Sequence, residues 1–229
     1  MRRLFFLLCA MASMLSAQAQ NIPFKPYKHW NDRMAAFARE PDITSSDIVM
    51  LGDSHTEKAG DWNKLLGTTG IRNRGIISDV AAGVYQRLDP ILKGRPKAIF
   101  FLIGANDVSH NLTPTQVFAD IRRVIEKIRS DSPDTKLYVE SLLPFVVGSE
   151  RWKTLAGKEN CMIDVNALLI AYCKEHGITF VNLYPRFAKK GTKSLRPELT
   201  IDDLHLNRLG YKIWAHEIRP IIKQLQGKK

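Results

Sequence analysis

Apolar residues in this chain fall into short dense runs separated by longer stretches with helical spacing. Ile48 to Leu51 in "SDIVMLGDS" reads as a strand buried on both faces, "KAIFFLIGAND" (97–107) as a strongly apolar strand, and "TKLYVESLLP" (135–144) and "ITFVNLY" (178–184) as two more strands. "GIRNRG" (70–75) reads as a shorter fifth strand. The stretches between them predict helices: "DVAAGVYQRLDPILKG" (79–94), "TPTQVFADIRRVIEKIRS" (113–130), "NCMIDVNALLIAYCKEHG" (160–177) and "NRLGYKIWAHEIRPIIKQL" (207–225). A leading helix, "WNDRMAAFARE", ends ahead of Pro41. Thr113 as N-cap, Pro114 at N1 and Gln116 at N3 make a capping box that fixes the start of the second helix, and Gly177 stops the third. Strands alternating with helices of this length imply βαβ units with right-handed crossovers. The expected fold is therefore α/β: a five-stranded parallel, flavodoxin-like sheet in a three-layer α/β/α arrangement.

The 229 residues, 45% of them hydrophobic and 25% charged, suit one globular domain, and no repeat, low-complexity tract or linker argues for a second. The opening "MRRLFFLLCAMASMLSAQA" changes the picture of where the domain starts. Two arginines, an apolar stretch and a closing Ala17-Gln18-Ala19 predict a secretory signal peptide over residues 1–19. The stretch is shorter than the ~20 apolar residues of a membrane span and is interrupted by Ser13 and Ser16. Cys9, inside the apolar stretch and after a leucine, does not suit a lipid anchor. The expected organisation is a signal peptide, an N-terminal arm and helix over 20–46, and the main domain over 47–229. The mature protein is expected to be secreted or periplasmic, with no integral membrane segment.

Loss of Arg2 and Arg3 with that peptide lowers the formal charge from +11 to +9. The basic residues are dispersed, with dense clusters only at 189–190 and in the terminal "GKK". No helix-turn-helix, finger or aromatic ribonucleoprotein motif accompanies them, so nucleic acid is not an expected partner. A basic surface suits acidic glycans or anionic membranes better. Cys161 and Cys173 lie in one predicted helix, about 18 Å apart along its axis, too far for a disulfide within that helix. They read as small apolar residues.

In parallel α/β sheets, ligands bind beyond the carboxyl ends of the strands. The polar residues placed there are Ser54 after the first strand, Gly75 at the end of the second, Asn106 after the third, and Asp202 and His205 before the last helix. Acyl transfer needs a hydroxyl nucleophile, an imidazole to take its proton, a carboxylate to orient that imidazole, and donors aimed at the developing oxyanion. This set contains every part.

Four blocks, "GDSH", "NRGI", "GAND" and "DDLHLN", follow in an order and spacing that resemble the SGNH hydrolase superfamily, the GDSL esterases and lipases. The resemblance implies Ser54 as nucleophile, His205 as general base and acid, and Asp202 as the orienting carboxylate. It also implies an oxyanion hole from the Ser54 and Gly75 amides and the Asn106 side chain, with no metal or other cofactor. "NRGIISDVAAGVYQRL", "VESLLPF" and "LRPELTIDDLHLNRLGYKIWA" are similar to the platelet-activating-factor acetylhydrolase-like and sialate O-acetylesterase-like branch, which implies short O-acyl esters, on carbohydrate, as substrates. Lysophospholipase or thioesterase activity on longer chains is the alternative within the enzyme class. A non-catalytic glycan-binding copy of the fold is the alternative outside it.

The chain departs from the family pattern in three places. His55 follows the serine, Ser78 stands where relatives often have glycine, and Asp203 takes the usual glycine of the D-G-x-H block. His55 offers a second base, although a neighbour on a turn usually points away. Asp203 competes with Asp202, which the spacing favours. A zinc site from Asp53, His55, Asp202, Asp203 and His205 would leave the serine unexplained and lacks helical i, i+4 histidine spacing. Trp62 suits either the pocket wall or the core. His29, His110, His176 and His216 have no motif around them. The acceptor pocket is expected from loops 144–158 and 185–198. The acceptor itself and the oligomeric state are not legible.

Overall fold

In a computed structural model, which describes residues 24–227, five strands form one parallel sheet. In chain order the elements are α1 (Lys28–Phe37), β1 (Ile48–Gly52), α2 (Ser54–Glu57), α3 (Trp62–Leu66), β2 (Ile71–Gly75), α4 (Ala81–Gln86), α5 (Asp89–Lys93), β3 (Ala98–Leu102), α6 (Ala105–Ser109), α7 (Pro114–Asp131), β4 (Lys136–Glu140), α8 (Glu159–Glu175), β5 (Thr179–Val181), α9 (Tyr184–Phe187) and α10 (Arg208–Leu225). The sheet order is β2-β1-β3-β4-β5, so the chain reverses direction across the sheet between β1 and β3. The expected signal peptide lies outside the described residues.

Side-chain alternation along the strands builds the two helical layers. Val49 and Leu51 of β1 and Ile99 and Phe101 of β3 face one side, where they pack with α4, α5, α7 and α8. Ile48, Met50, Ala98 and Phe100 face the other, against Trp62 of α3 and Trp214, Ile218 and Ile222 of α10. Both faces of β1 and β3 are buried, which is why their sequences are continuously apolar rather than alternating. Trp62 is a core residue, 1% exposed, with its ring edge-on to Trp214 and its Nε1 donating to the Thr56 carbonyl.

The capping box holds: Thr113 Oγ1 accepts from the Gln116 amide, and Gln116 Oε1 accepts from the Thr113 amide at 2.9 Å. Two expectations about element length are corrected. The stretch 79–94 is two helices, because at Arg87 the chain leaves helical geometry ahead of Pro90 and the guanidinium turns inward onto Asp79, the Arg74 carbonyl and the Gly52 carbonyl. The expected strand runs are also too long, because pairing ends at Leu102 in β3, Glu140 in β4 and Val181 in β5, with Asn106 on α6 and Tyr184 on α9. Cys161 and Cys173 both lie on α8 as free thiols. Among the described residues, no helix is long and apolar enough to cross a membrane.

Candidate active site

β1 runs into α2 with almost no connection: Gly52 ends the strand, Asp53 caps the helix and Ser54 is its first residue. The cap bond runs from the His55 amide to Asp53 Oδ1 at 2.9 Å. Ser54 therefore sits on a rigid strand end, with its own N–H among those that a helix start leaves without an intrahelical acceptor.

On the facing side, the segment before α10 brings His205 over Ser54. His205 Nε2 lies 2.9 Å from Ser54 Oγ, and His205 Nδ1 lies 2.7 Å from Asp202 Oδ2. The other carboxylate oxygen of Asp202 accepts the amides of His205 (2.8 Å) and Leu204 (3.2 Å). One aspartate thus fixes both the backbone turn and the ring it carries. Serine, imidazole and carboxylate form one continuous hydrogen-bonded chain, with His205 only 6% exposed.

Of the two adjacent acids, Asp202 is the one that meets the imidazole. Asp203, at φ +74°, turns away: its Oδ2 accepts from Ser149 Oγ at 2.9 Å and its carbonyl from the Val146 amide at 2.8 Å. Burial works to raise Asp202, but hydrogen bonds from the His205 ring and amide outweigh it and hold the carboxyl below the usual range. Burial, then the neighbouring His55, lower His205 below an ordinary histidine in spite of Asp202.

Asn106 reaches the same edge from α6. Its Nδ2 donates one hydrogen to the Asp79 carbonyl at 2.8 Å, which anchors the amide and leaves the second hydrogen for a ligand. Gly75 requires a correction. It lies within β2, opposite Gly52, and its amide donates to Asn73 Oδ1 at 2.9 Å, so it is not free to meet an oxyanion. Its lack of a side chain serves packing, since a Cβ there would come 2.2 Å from the Glu57 nitrogen as α2 crosses the strand end.

The residue with the backbone geometry expected of Gly75 is Ser78, three positions later. Ser78 is exposed at φ +64°, and the turn around it is clamped. Glu57 accepts the Ile77 amide, the Tyr27 hydroxyl donates to the Ile77 carbonyl, and Asn106 takes the Asp79 carbonyl. His29 lies 3.0 Å from Glu57 and Arg33 3.4 Å, so the N-terminal arm braces this turn. The signal was present in the sequence as a serine at a position where relatives often carry glycine, a residue suited to φ > 0.

Sequence reasoning also passed over Trp152, in loop 144–158. Its Nε1 donates to the Asp202 carbonyl at 2.6 Å and its ring stands edge-on to His205, with centroids 5.2 Å apart. Loop 185–198 stands one step further back, where Leu195 donates to the Phe145 carbonyl and Ser194 Oγ accepts the Val147 amide. The acids and histidines weighed for zinc do not converge: among the described residues, no three or more His, Cys, Asp or Glu side chains are placed to share an ion.

A strand-mounted serine, a histidine–aspartate pair and donors grouped at the carboxyl edge of a parallel sheet define the layout of an α/β hydrolytic enzyme. The sequence pattern of the GDSL-like lipase/acylhydrolase family matches residues 50–213, and the chain belongs to that family of ester-hydrolysing enzymes. It is 26% identical over 202 residues to platelet-activating factor acetylhydrolase IB subunit alpha1 of Rattus norvegicus, covering 86% of this chain and 83% of the relative. Among solved structures, a GDSL-like lipase from Bacteroides thetaiotaomicron superposes with a TM-score of 0.74 at 23% identity, over 85% of this chain and 97% of that one. An acetyl xylan esterase superposes at 0.63 and 18% identity, over 77% and 99%. At these identities the structural matches speak to the fold, which is the flavodoxin-like α/β/α arrangement expected.

Proposed function

We propose that the protein is an exported serine esterase that removes short acyl groups, acetyl foremost, from O-acylated carbohydrate. The observation that carries the reading is the unbroken hydrogen-bonded chain from Ser54 Oγ through His205 to Asp202. In the proposed mechanism Ser54 Oγ attacks the ester carbonyl while its proton passes to His205 Nε2. Asp202 holds the ring and stabilises the imidazolium. The carbonyl oxygen takes up negative charge against the Ser54 amide, the second hydrogen of Asn106 Nδ2 and the Ser78 amide, the last replacing the expected Gly75. Collapse breaks the bond to the sugar oxygen, which leaves with the proton from His205. Water, deprotonated by the same imidazole, then attacks the acyl-Ser54 ester, and the proton returns to Ser54 as the carboxylic acid departs. Side chains and water supply every step.

The acyl preference draws on the acetyl substrates named for the relatives, an acetylhydrolase and an acetyl xylan esterase. Export draws on the expected signal peptide, and the carbohydrate acceptor on the basic charge and the resemblance to the sialate O-acetylesterase-like branch. A second reading, hydrolysis of longer acyl chains, draws on a cavity of about 300 Å³ that reaches Ser78 and is walled partly by Phe24, Tyr27, Val80 and Leu112. Turnover of p-nitrophenyl acetate and octanoate by the wild type, Ser54→Ala and His205→Ala separates these readings. Acetate turnover lost in both variants supports the esterase. Preference for octanoate moves the substrate to longer chains. Equal background in all three proteins defeats the enzymatic mechanism and favours a binding role. Release of acetate from a panel that includes 9-O-acetyl sialic acid and acetylated xylan identifies the acceptor.

A further inference from the structure

His55 is the residue that the proposed mechanism leaves unused, and it is nearly solvent-free, at 1% exposure. Its ring does not turn to Ser54. Nε2 lies 3.2 Å from the carbonyl oxygen of Leu204, the residue before His205, and Nδ1 lies 3.4 Å from Asp53 Oδ1. The Tyr211 hydroxyl donates to the His55 carbonyl at 2.9 Å and ties this turn to α10. The two imidazole rings, His55 and His205, are 5.6 Å apart between centroids.

The proton count follows from the acceptors. A carbonyl oxygen can only accept, so Nε2 carries a hydrogen. With that hydrogen in place, a neutral ring would aim the Nδ1 lone pair at a carboxylate oxygen. A neutral pair would need the proton on Oδ1, facing Nδ1, where it weakens the bond that Oδ1 accepts from the His55 amide at 2.9 Å; on Oδ2, buried without a partner, it would have nothing to meet. A ring protonated on both nitrogens keeps the Nε2 bond to the Leu204 carbonyl and makes the 3.4 Å Nδ1···Oδ1 contact, which is not a formed hydrogen bond, an ion pair that compensates a carboxylate that is 0% exposed.

We propose that His55 is a buried imidazolium, a positioning residue whose charge keeps His205 neutral into more acidic solution while its Nε2–H pins the turn that carries His205. This rests on reading Ser54, His205 and Asp202 as the catalytic relay. The groups that face His55 are Asp53 from the β1–α2 turn, Asp202 and His205 from the segment before α10, and the Tyr211 hydroxyl from α10 itself. His205 additionally feels Lys58, at the end of α2. Burial opposes a charge on His55, but Asp53 and the Leu204 carbonyl outweigh it and hold the ring above an ordinary histidine. The opposite displacement of His205 comes first from burial and then from His55, because two cations this close disfavour each other.

The test uses His55→Gln, which keeps an N–H donor and removes the charge. At an effective dielectric of about 20, a charge ~6 Å away is worth up to about 2 pH units, and partial compensation by Asp53 reduces the expected shift to about one. The acidic limb of the kcat/KM profile of His55→Gln is expected to move up by that amount, with the alkaline plateau retained within tenfold. A limb that does not move overturns the proposal. Long-range ¹H–¹⁵N imidazole spectra of the wild type provide a readout that needs neither substrate nor variant. His55 is expected to carry hydrogen on both ring nitrogens at a pH where His205 carries one. A neutral His55 under those conditions overturns the proposal even if the enzyme turns over. Absence of turnover with His55 doubly protonated instead removes the esterase reading while leaving the charge assignment in place.

Discussion

Two histidine–aspartate pairs stand side by side at the carboxyl edge of this sheet, built from the same two residue types and serving different ends. In His205–Asp202 the Nδ1···Oδ2 separation is 2.7 Å, the carboxylate is one-quarter exposed, and the free ring nitrogen meets a hydroxyl that can give up a proton. In His55–Asp53 the separation is 3.4 Å, both side chains are sealed from solvent, and the remaining nitrogen meets a backbone carbonyl that cannot. The pair that touches a hydroxyl and opens toward solvent can pass protons. The pair enclosed between a carbonyl and a carboxylate can only hold one. In the proposed roles, the third partner of each ring, and not residue identity, separates a base from a fixed charge.

The largest effect that should separate the pairs is Asp202→Asn, which leaves the shape but removes the anion that orients His205, and is expected to lower kcat about 10³- to 10⁴-fold with little change in Tm. The matching change, Asp53→Asn, should reverse the balance. It should cost about 1–3 kcal/mol of stability in denaturant unfolding through loss of the buried counter-ion, with a much smaller loss of kcat. Equal kcat losses in the two variants would erase the distinction.

Next in size, Asn106→Ala is expected to lower kcat about 10²- to 10³-fold, as loss of one oxyanion donor does elsewhere, with KM changing far less. The smallest effect should come from Ser78→Gly. The amide survives and the positive φ is relieved, so activity should persist while stability rises by roughly 0.5–1 kcal/mol, read as a higher Tm. A large activity loss in Ser78→Gly would assign the Ser78 side chain, and not its amide alone, a part in the reaction.

The sheet was legible because β1 and β3 are buried on both faces and β4 is largely so, and continuous burial writes continuous apolar sequence. The break at Arg87 was not legible, because the acceptors that draw its guanidinium inward, Asp79 and the Gly52 carbonyl, come from other elements. The segments of the Ser54, Asn106, Asp202 and His205 cluster were legible through short motifs, each of which carries its own cap or turn. Gly75 misled because a glycine at a strand end suits an exposed donor and a close helix crossing equally well. The Asn73 side chain that takes its amide and the position of Glu57 separate the two. Trp152 gave no signal at all, since its partner, the Asp202 carbonyl, lies fifty residues away.

In the proposed mechanism Ser54, driven by His205, carries the acyl group. This is tested most directly by mass analysis of protein quenched during turnover of an activated acetyl ester and digested to locate the modification. One acetyl group is expected on Ser54 in the wild type and none there when His205 is replaced by alanine. Acetylation at another residue that is kinetically competent for turnover, or turnover that persists in Ser54→Ala, would contradict it.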